Sequence, residues 1–333
     1  MTRDLESIGA AQSSQAAQAA EAPGAASQEP VYAARTPRGV CTQADFDTWA
    51  VHAKRGISYA YFAAGESSGT APVPDVAAQC AATEPAAGRT GRANCADRRI
   101  SIVFVHGTGS NRTRLARVQR TFDAYDRYYP DLPGRQGSAH RGGDTAEDYA
   151  DAICDFISDI PDVLLVGHSL GGALVAGVLE RRPATVRGAV IVGGALDFRH
   201  MPPAFIDALR HDRLDMSLAY GTVGPEDEYA FAHVGPDPET EAVQLQDWKA
   251  DAGLDFGGPE GLAALSRVTV PVALVSGRED HIVPWEKSDE IARAIPGAEH
   301  VVLNGIGHMV PLMWPEQIRH VVDGVAERIR RGW

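Results

Sequence analysis

The feature that most constrains the fold is a run of apolar residues that ends in a glycine-flanked serine and continues as a helix pattern. Val163-Leu164-Leu165-Val166 reads as a buried strand, Gly167-His168-Ser169-Leu170-Gly171 follows, and residues 170–182 keep a helical pattern that stops before Pro183. A strand can pass into a helix over so few residues only through a sharp turn. That turn holds Ser169 in a strained backbone conformation, and a Cβ at Gly167 or Gly171 would collide with the neighbouring chain. The serine hydroxyl is thereby lifted above the carboxyl end of a sheet. The helix beginning at Leu170 also aims its positive end and unpaired N–H groups at the place where negative charge develops during acyl transfer. The five letters alone also describe an ordinary glycine-flanked turn; the flanking strand and helix give them their chemical meaning.

The surrounding pattern agrees with such a sheet. Residues 100–105, 163–166, 189–192, 268–275 and 300–303 are short, rich in β-branched residues and bounded by Gly or Pro, as buried strands are. Helix patterns at 145–157, 170–182, 287–294 and 315–331 alternate with them, so the fold class is α/β with a mostly parallel central sheet covered by helices on both faces. Upstream, residues 48–53 and 57–62 suit a hairpin around Lys54-Arg55-Gly56. Residues 1–45 are low in large apolar side chains and are expected to form a disordered tail. Residues 46–333 then make one domain, interrupted by a polar surface insertion at 66–99 and a helical excursion at 198–265.

A serine hydroxyl needs a base, and the base needs a carboxylate to fix its tautomer and stabilise its cation. The strand at 268–275 leads into Gly277-Arg278-Glu279-Asp280, and the next leads into Gly305-Ile306-Gly307-His308. The order Ser169, Asp280, His308 is the nucleophile, acid and base order of this kind of sheet. Glu279 and Asp197 are rival acids. After the strand at 100–105 comes His106-Gly107-Thr108-Gly109, whose backbone can turn over the serine, so that the N–H groups of Thr108 and Leu170 form a two-donor oxyanion hole. His106 reads as a structural histidine beside this loop. With Gly107, Trp285 and Met309, it completes the residues expected near substrate, while His168 and His281 read as packing residues or as residues that support the catalytic groups from behind.

Four ordered motifs, HGTG, GHSLGG, GRED and GIGH, resemble those of α/β-hydrolase-fold serine hydrolases of the esterase and lipase branch with a helical cap. The resemblance spans residue 100 to the C-terminus. Asp131-Leu132-Pro133-Gly134-Arg135 also resembles the family's Asp-x-Pro-Gly-x-Gly segment, with Gln136 at the usual glycine position and Gly137 after it. The resemblance implies hydrolysis of a carboxylic ester or lactone through an acyl-enzyme. The serine nucleophile disfavours dehalogenase and epoxide hydrolase chemistry, which uses a carboxylate there. Carbon–carbon bond hydrolases resemble the chain too but usually carry Asn where it has His168. Thioesterases, cofactor-free perhydrolases and a non-catalytic binding protein are the remaining alternatives. Residues 198–265 would be the cap, with Met201, Phe205, Leu209, Met216, Leu218, Tyr220, Phe231 and Trp248 suggesting a small hydrophobic substrate.

Composition narrows the partners. Among 333 residues, 31 are Lys or Arg and 44 Asp or Glu, a formal net charge of −13 that disfavours nucleic acid. No run approaches the 18 apolar residues of a membrane span, and the first residues lack the apolar core of a secretory signal, so a cytoplasmic location is expected. Cys41, Cys80, Cys95 and Cys154 contain no Cys-x-x-Cys pair, and neither a metal nor a cofactor is expected. Cys80 and Cys95 bracket one Ala/Gly/Pro-rich segment; a loop-closing disulfide and two free thiols both fit.

Overall fold

The hairpin forms where the sequence places a turn. Strands β1 (Val51–Lys54) and β2 (Ile57–Phe62) pair antiparallel from Val51 opposite Ala60 to Lys54 opposite Ile57. Arg55 and Gly56, the two turn residues, both have positive φ, 52° and 80°, as a two-residue type I′ turn requires. The structure is a computed structural model that describes residues 37, 40–66, 68–69, 99–219, 223–234 and 239–333. Nearly all of the expected tail and insertion, with Cys80, Cys95 and Tyr220, lies outside the described residues.

Six more strands complete one sheet: β3 (Ser101–Val105), β4 (Asp126–Pro130), β5 (Val163–His168), β6 (Val186–Val192), β7 (Val272–Gly277) and β8 (Glu299–Leu303). Their order is β1-β2-β4-β3-β5-β6-β7-β8, with β4 antiparallel to β2 and every later pairing parallel. Helices α1 (Gln43–Phe46), α2 (Thr113–Ala116), α3 (Ala146–Ile157), α4 (Leu170–Arg181), α5 (Pro203–Arg210), α6 (Pro225–His233), α7 (Glu241–Ala252), α8 (Pro259–Leu265), α9 (Trp285–Ala294), α10 (Val310–Met313) and α11 (Pro315–Arg330) follow the chain order. Four of them, α5 to α8, fall between β6 and β7. Phe198, Met201, Phe205, Leu209 and Trp248 form an apolar cluster of their own within that segment.

The helices obey their local signals. Thr145 caps α3 by accepting from the Asp148 N–H, and Asp148 returns a bond to the Thr145 N–H, so two free helix-end donors are satisfied. Tyr149, Ile153, Phe156 and Ile157 fall on its buried side. Helix α4 is buried from Leu170 to Leu179 and ends at Arg182, whose left-handed backbone closes the last turn before Pro183.

Several expected bounds shift and one strand is new: β1 spans 51–54, β6 starts at 186 and α9 at 285. Order begins earlier than residue 46: Cys41 is fully buried, its N–H donates to the Arg117 carbonyl, and Phe46 packs edge-on to Trp49. Residues 268–271 are not strand, because the Val268 N–H donates back to Leu265 in the turn that ends α8 and Pro271 can only accept, from Ala189. Strand β4 has no counterpart among the expected strands, since its Asp126 and Arg127 hide an otherwise aromatic run. Both charges are buried: Asp126 is ion-paired, and Arg127 is hydrogen-bonded to neutral carbonyls. Asp126 holds Arg99 at 2.7 Å and accepts from the Ala64 N–H, and Arg127 donates to the Gln119 and Ala63 carbonyls.

Candidate active site

The chain turns from β5 into α4 at Ser169, whose φ of 59° and ψ of −123° form a strained conformation costing about 1–3 kcal/mol. Its N–H donates to the Val192 carbonyl at 2.9 Å, tying the turn to β6. A Cβ on Gly167 would run into the Gly171 carbonyl, and one on Gly171 into the Val105 carbonyl. Gly107 is equally confined: a Cβ there would sit 2.9 Å from the Ser169 Cβ. The loop after β3 therefore lies directly against the serine.

His308 follows β8 and is 3% exposed. Its Nδ1 bonds Asp280 Oδ2 at 2.7 Å, and Asp280 Oδ1 accepts from the Ile282 and Val283 N–H groups at 2.9 and 2.8 Å. Those bonds hold the carboxylate at the imidazole and leave His308 Nε2 for another partner. Burial opposes charge on His308, but Asp280 and Asp227 outweigh it and raise its pKa above the ordinary value. His168 donates from Nε2 to the His308 carbonyl at 2.9 Å with the rings 4.7 Å apart; burial and the neighbouring His308 keep it neutral, with a strongly lowered pKa.

Two helices from the segment between β6 and β7 grip the loops of the site with buried carboxylates. Asp227 of α6 accepts from the His308 and Met309 N–H groups, each at 2.8 Å, and Glu226 from the Gly307 N–H at 2.9 Å and the Trp314 Nε1–H at 2.8 Å. Helix α7 supplies Asp251, which accepts from Thr108 Oγ1 at 2.5 Å, and Asp247, which accepts from the Gly109 N–H at 2.7 Å and pairs with the buried Arg135. Burial raises the Asp251 pKa to about 7, against the Thr108 bond that lowers it. His106 completes the support of this loop: Leu132 N–H donates to its Nε2 and its Nδ1 bonds the Gly107 carbonyl, while burial and then Arg135 lower its pKa to about 3.

Ser169 opens onto a cleft of about 290 Å³ that also contains His308, Gly107, Thr108 and Trp248. A second, small cavity of about 20 Å³ meets it at Ser169 and contains Leu170. The larger surface cleft of about 430 Å³ beside Thr145 and Lys249 contains neither Ser169 nor His308. Among the described residues no cluster of three or more His, Cys, Asp or Glu side chains is arranged to hold a metal ion.

The sequence profile of the alpha/beta hydrolase family matches residues 102–321, about two thirds of the chain. The chain belongs to the alpha/beta hydrolase family. A candidate carbamate hydrolase, RutD of Pantoea ananatis, is 25% identical over 244 residues, 67% of this hydrolase and 86% of the relative. The pimeloyl-acyl-carrier-protein methyl ester esterase of Aromatoleum aromaticum is 26% identical over 216 residues, 59% and 85% of the two chains. Among solved structures, the enol-lactonase from Burkholderia xenovorans superposes with a TM-score of 0.59 at 16% identity, covering 83% of this hydrolase and 99% of that chain, a likeness of fold.

In this hydrolase Ser169, His308, Thr108 and Gly107 line one cleft, and Asp280 stands behind His308. The rival acids are engaged elsewhere: Glu279 accepts from the Ile306 N–H, and Asp197 from the Arg199 N–H with Lys287 at 3.5 Å. Three expected substrate neighbours are not among the lining residues. His106 is buried under its loop, Trp285 stacks on the Arg278 guanidinium at 4.7 Å beside His300, and Met309 is buried with its sulfur toward Arg114. His281, expected to pack or to support the catalytic groups, is exposed. In the loop after β4, Gln136 itself takes φ 45° where the family usually has glycine, and Gly137 takes 91°. Glu226, Asp227, Asp247 and Asp251 are the site-forming residues that sequence reasoning missed. Their i, i+1 and i, i+4 spacings are those of a solvated helix face, and no signal in the sequence marks them as buried.

Proposed function

We propose that this hydrolase cleaves a carboxylic ester or lactone through an acyl-enzyme on Ser169. His308 Nε2 takes the proton from the Ser169 hydroxyl as it attacks the carbonyl, and Asp280 fixes the tautomer and stabilises the imidazolium. The N–H groups of Thr108 and Leu170 receive the tetrahedral oxyanion, each contributing about 2.7–4 kcal/mol of transition-state stabilisation. His308 then protonates the leaving alcohol. Water repeats the cycle and releases the acid. The segment 198–265 acts as the cap that shapes the cleft.

One observation carries this reading: the strained serine shares a cleft with a histidine whose far nitrogen is bound at 2.7 Å to a buried carboxylate. The esterase named among the relatives and the enol-lactonase among the structural neighbours support ester and lactone substrates. The test is a panel of nitrophenyl acyl esters and lactones with wild type and Ser169→Ala. Wild type should release product, and the variant should be inactive with an unchanged circular dichroism spectrum and melting temperature. Hydrolysis by the variant above a trace contradicts the proposal.

A further inference from the structure

The space around Ser169 is divided into two unequal lobes. The outer lobe, about 290 Å³, contains His308 and runs out to the partly exposed Met216 and Phe231. The inner lobe, about 20 Å³, is lined by Leu170, Phe198, Met201 and Val283 together with His200 and Asp251; His308 does not line it. Ser169, Thr108, Trp248 and Ile282 belong to both.

We propose that the inner lobe receives the acyl chain and the outer lobe the alcohol, so that this hydrolase prefers esters of two- or three-carbon acids with bulky alcohols. The inference rests on the acyl-enzyme reading and follows from where protons must go. The base has to reach the leaving oxygen within hydrogen-bond distance to protonate it, so the alcohol must lie on the His308 side. The carbonyl oxygen faces the Thr108 and Leu170 N–H groups. That leaves the acyl chain pointing toward the lobe without His308. The inner lobe is more than tenfold smaller than the outer one, about 20 against about 290 Å³, so it suits a short acyl chain and the outer lobe the bulkier group. The far wall is not a loose side chain. Phe198 lies 5.8 Å from Trp248, Phe205 meets Trp248 edge-on at 5.3 Å, and Met201 is 5% exposed in the same cluster, so a longer chain would have to displace packed groups.

The experiment measures kcat/KM for acetate, propionate, butyrate, hexanoate and octanoate esters of one bulky alcohol, with wild type, Met201→Ala and Val283→Ala. Wild type should peak at acetate or propionate and fall about tenfold or more by hexanoate. Either enlarged variant should move the optimum to longer chains, and two variants guard against one failing to fold. A wild-type optimum at hexanoate or beyond, a flat profile, or folded variants with the wild-type profile overturns the inference while leaving the acyl-enzyme reading intact. No turnover of any ester, together with no labelling of Ser169 by a fluorophosphonate, overturns both.

Discussion

Asp280 gives its two carboxylate oxygens different tasks: Oδ1 accepts from two backbone N–H groups, which leaves Oδ2 to hold His308. In the proposed mechanism His308 reacts as the neutral base, and its pKa lies above the ordinary imidazole value of about 6.5, so kcat/KM should be lost as pH falls through a midpoint above that value. Asp280→Asn removes a charge that raises this pKa. In that variant kcat should fall on the order of 10⁴-fold and the midpoint move to lower pH in a pH–rate profile. An unchanged midpoint would assign the raised pKa to another group. At this scale the sequence was legible where a steric rule is local. Gly167 and Gly171 could be read as glycines without alternatives because the turn itself forbids a Cβ. Asp280 was the expected acid, but Glu279 and Asp197 also lie just past strands, and only the folded loops bring Asp280 against His308.

Helices α6 and α7 show what a periodicity reading overlooks in larger elements. Each carries acidic residues that would suit a wet surface, yet Asp227 and Asp247 are 1% and 0% exposed because backbone N–H groups of the site loops replace their water. Acidic side chains in the first turn of α6 also complement its positive end, which hid their second task. Strand β4 was missed for the related reason that its two charged residues are buried, Asp126 against Arg99 and Arg127 against backbone carbonyls. Asp227→Asn places an amide donor against one of two backbone donors, so the His308 loop should shift. Kinetics should show kcat lower by about 10- to 100-fold with KM little changed, and a pH midpoint displaced downward. Wild-type kcat in a folded Asp227→Asn protein would show that α6 only packs.

Across the whole molecule, Thr108, Ser169, Asp280 and His308 are spread over about 200 residues of sequence and follow β3, β5, β7 and β8 at the carboxyl edge of one sheet. Parallel strands bring their carboxyl ends to one edge, which is why motifs just past four separate strands could be assigned to one candidate site from the sequence. The net charge of −13 gains a different meaning in the fold. Asp131, Asp227, Asp247, Asp251 and Asp280 are buried and bound to N–H groups, hydroxyls or arginines, so part of the acidity builds the interior and the loops of the site rather than an external field. Among the described residues no helix is long and apolar enough to cross a membrane. The central claim is that Ser169 carries the acyl group. Intact-protein and peptide mass spectrometry after rapid quenching with nitrophenyl acetate tests it most directly: one acetyl group on the Ser169 peptide is predicted, absent from Ser169→Ala, whereas turnover with no adduct at Ser169, or an adduct on another residue that persists in Ser169→Ala, would contradict it.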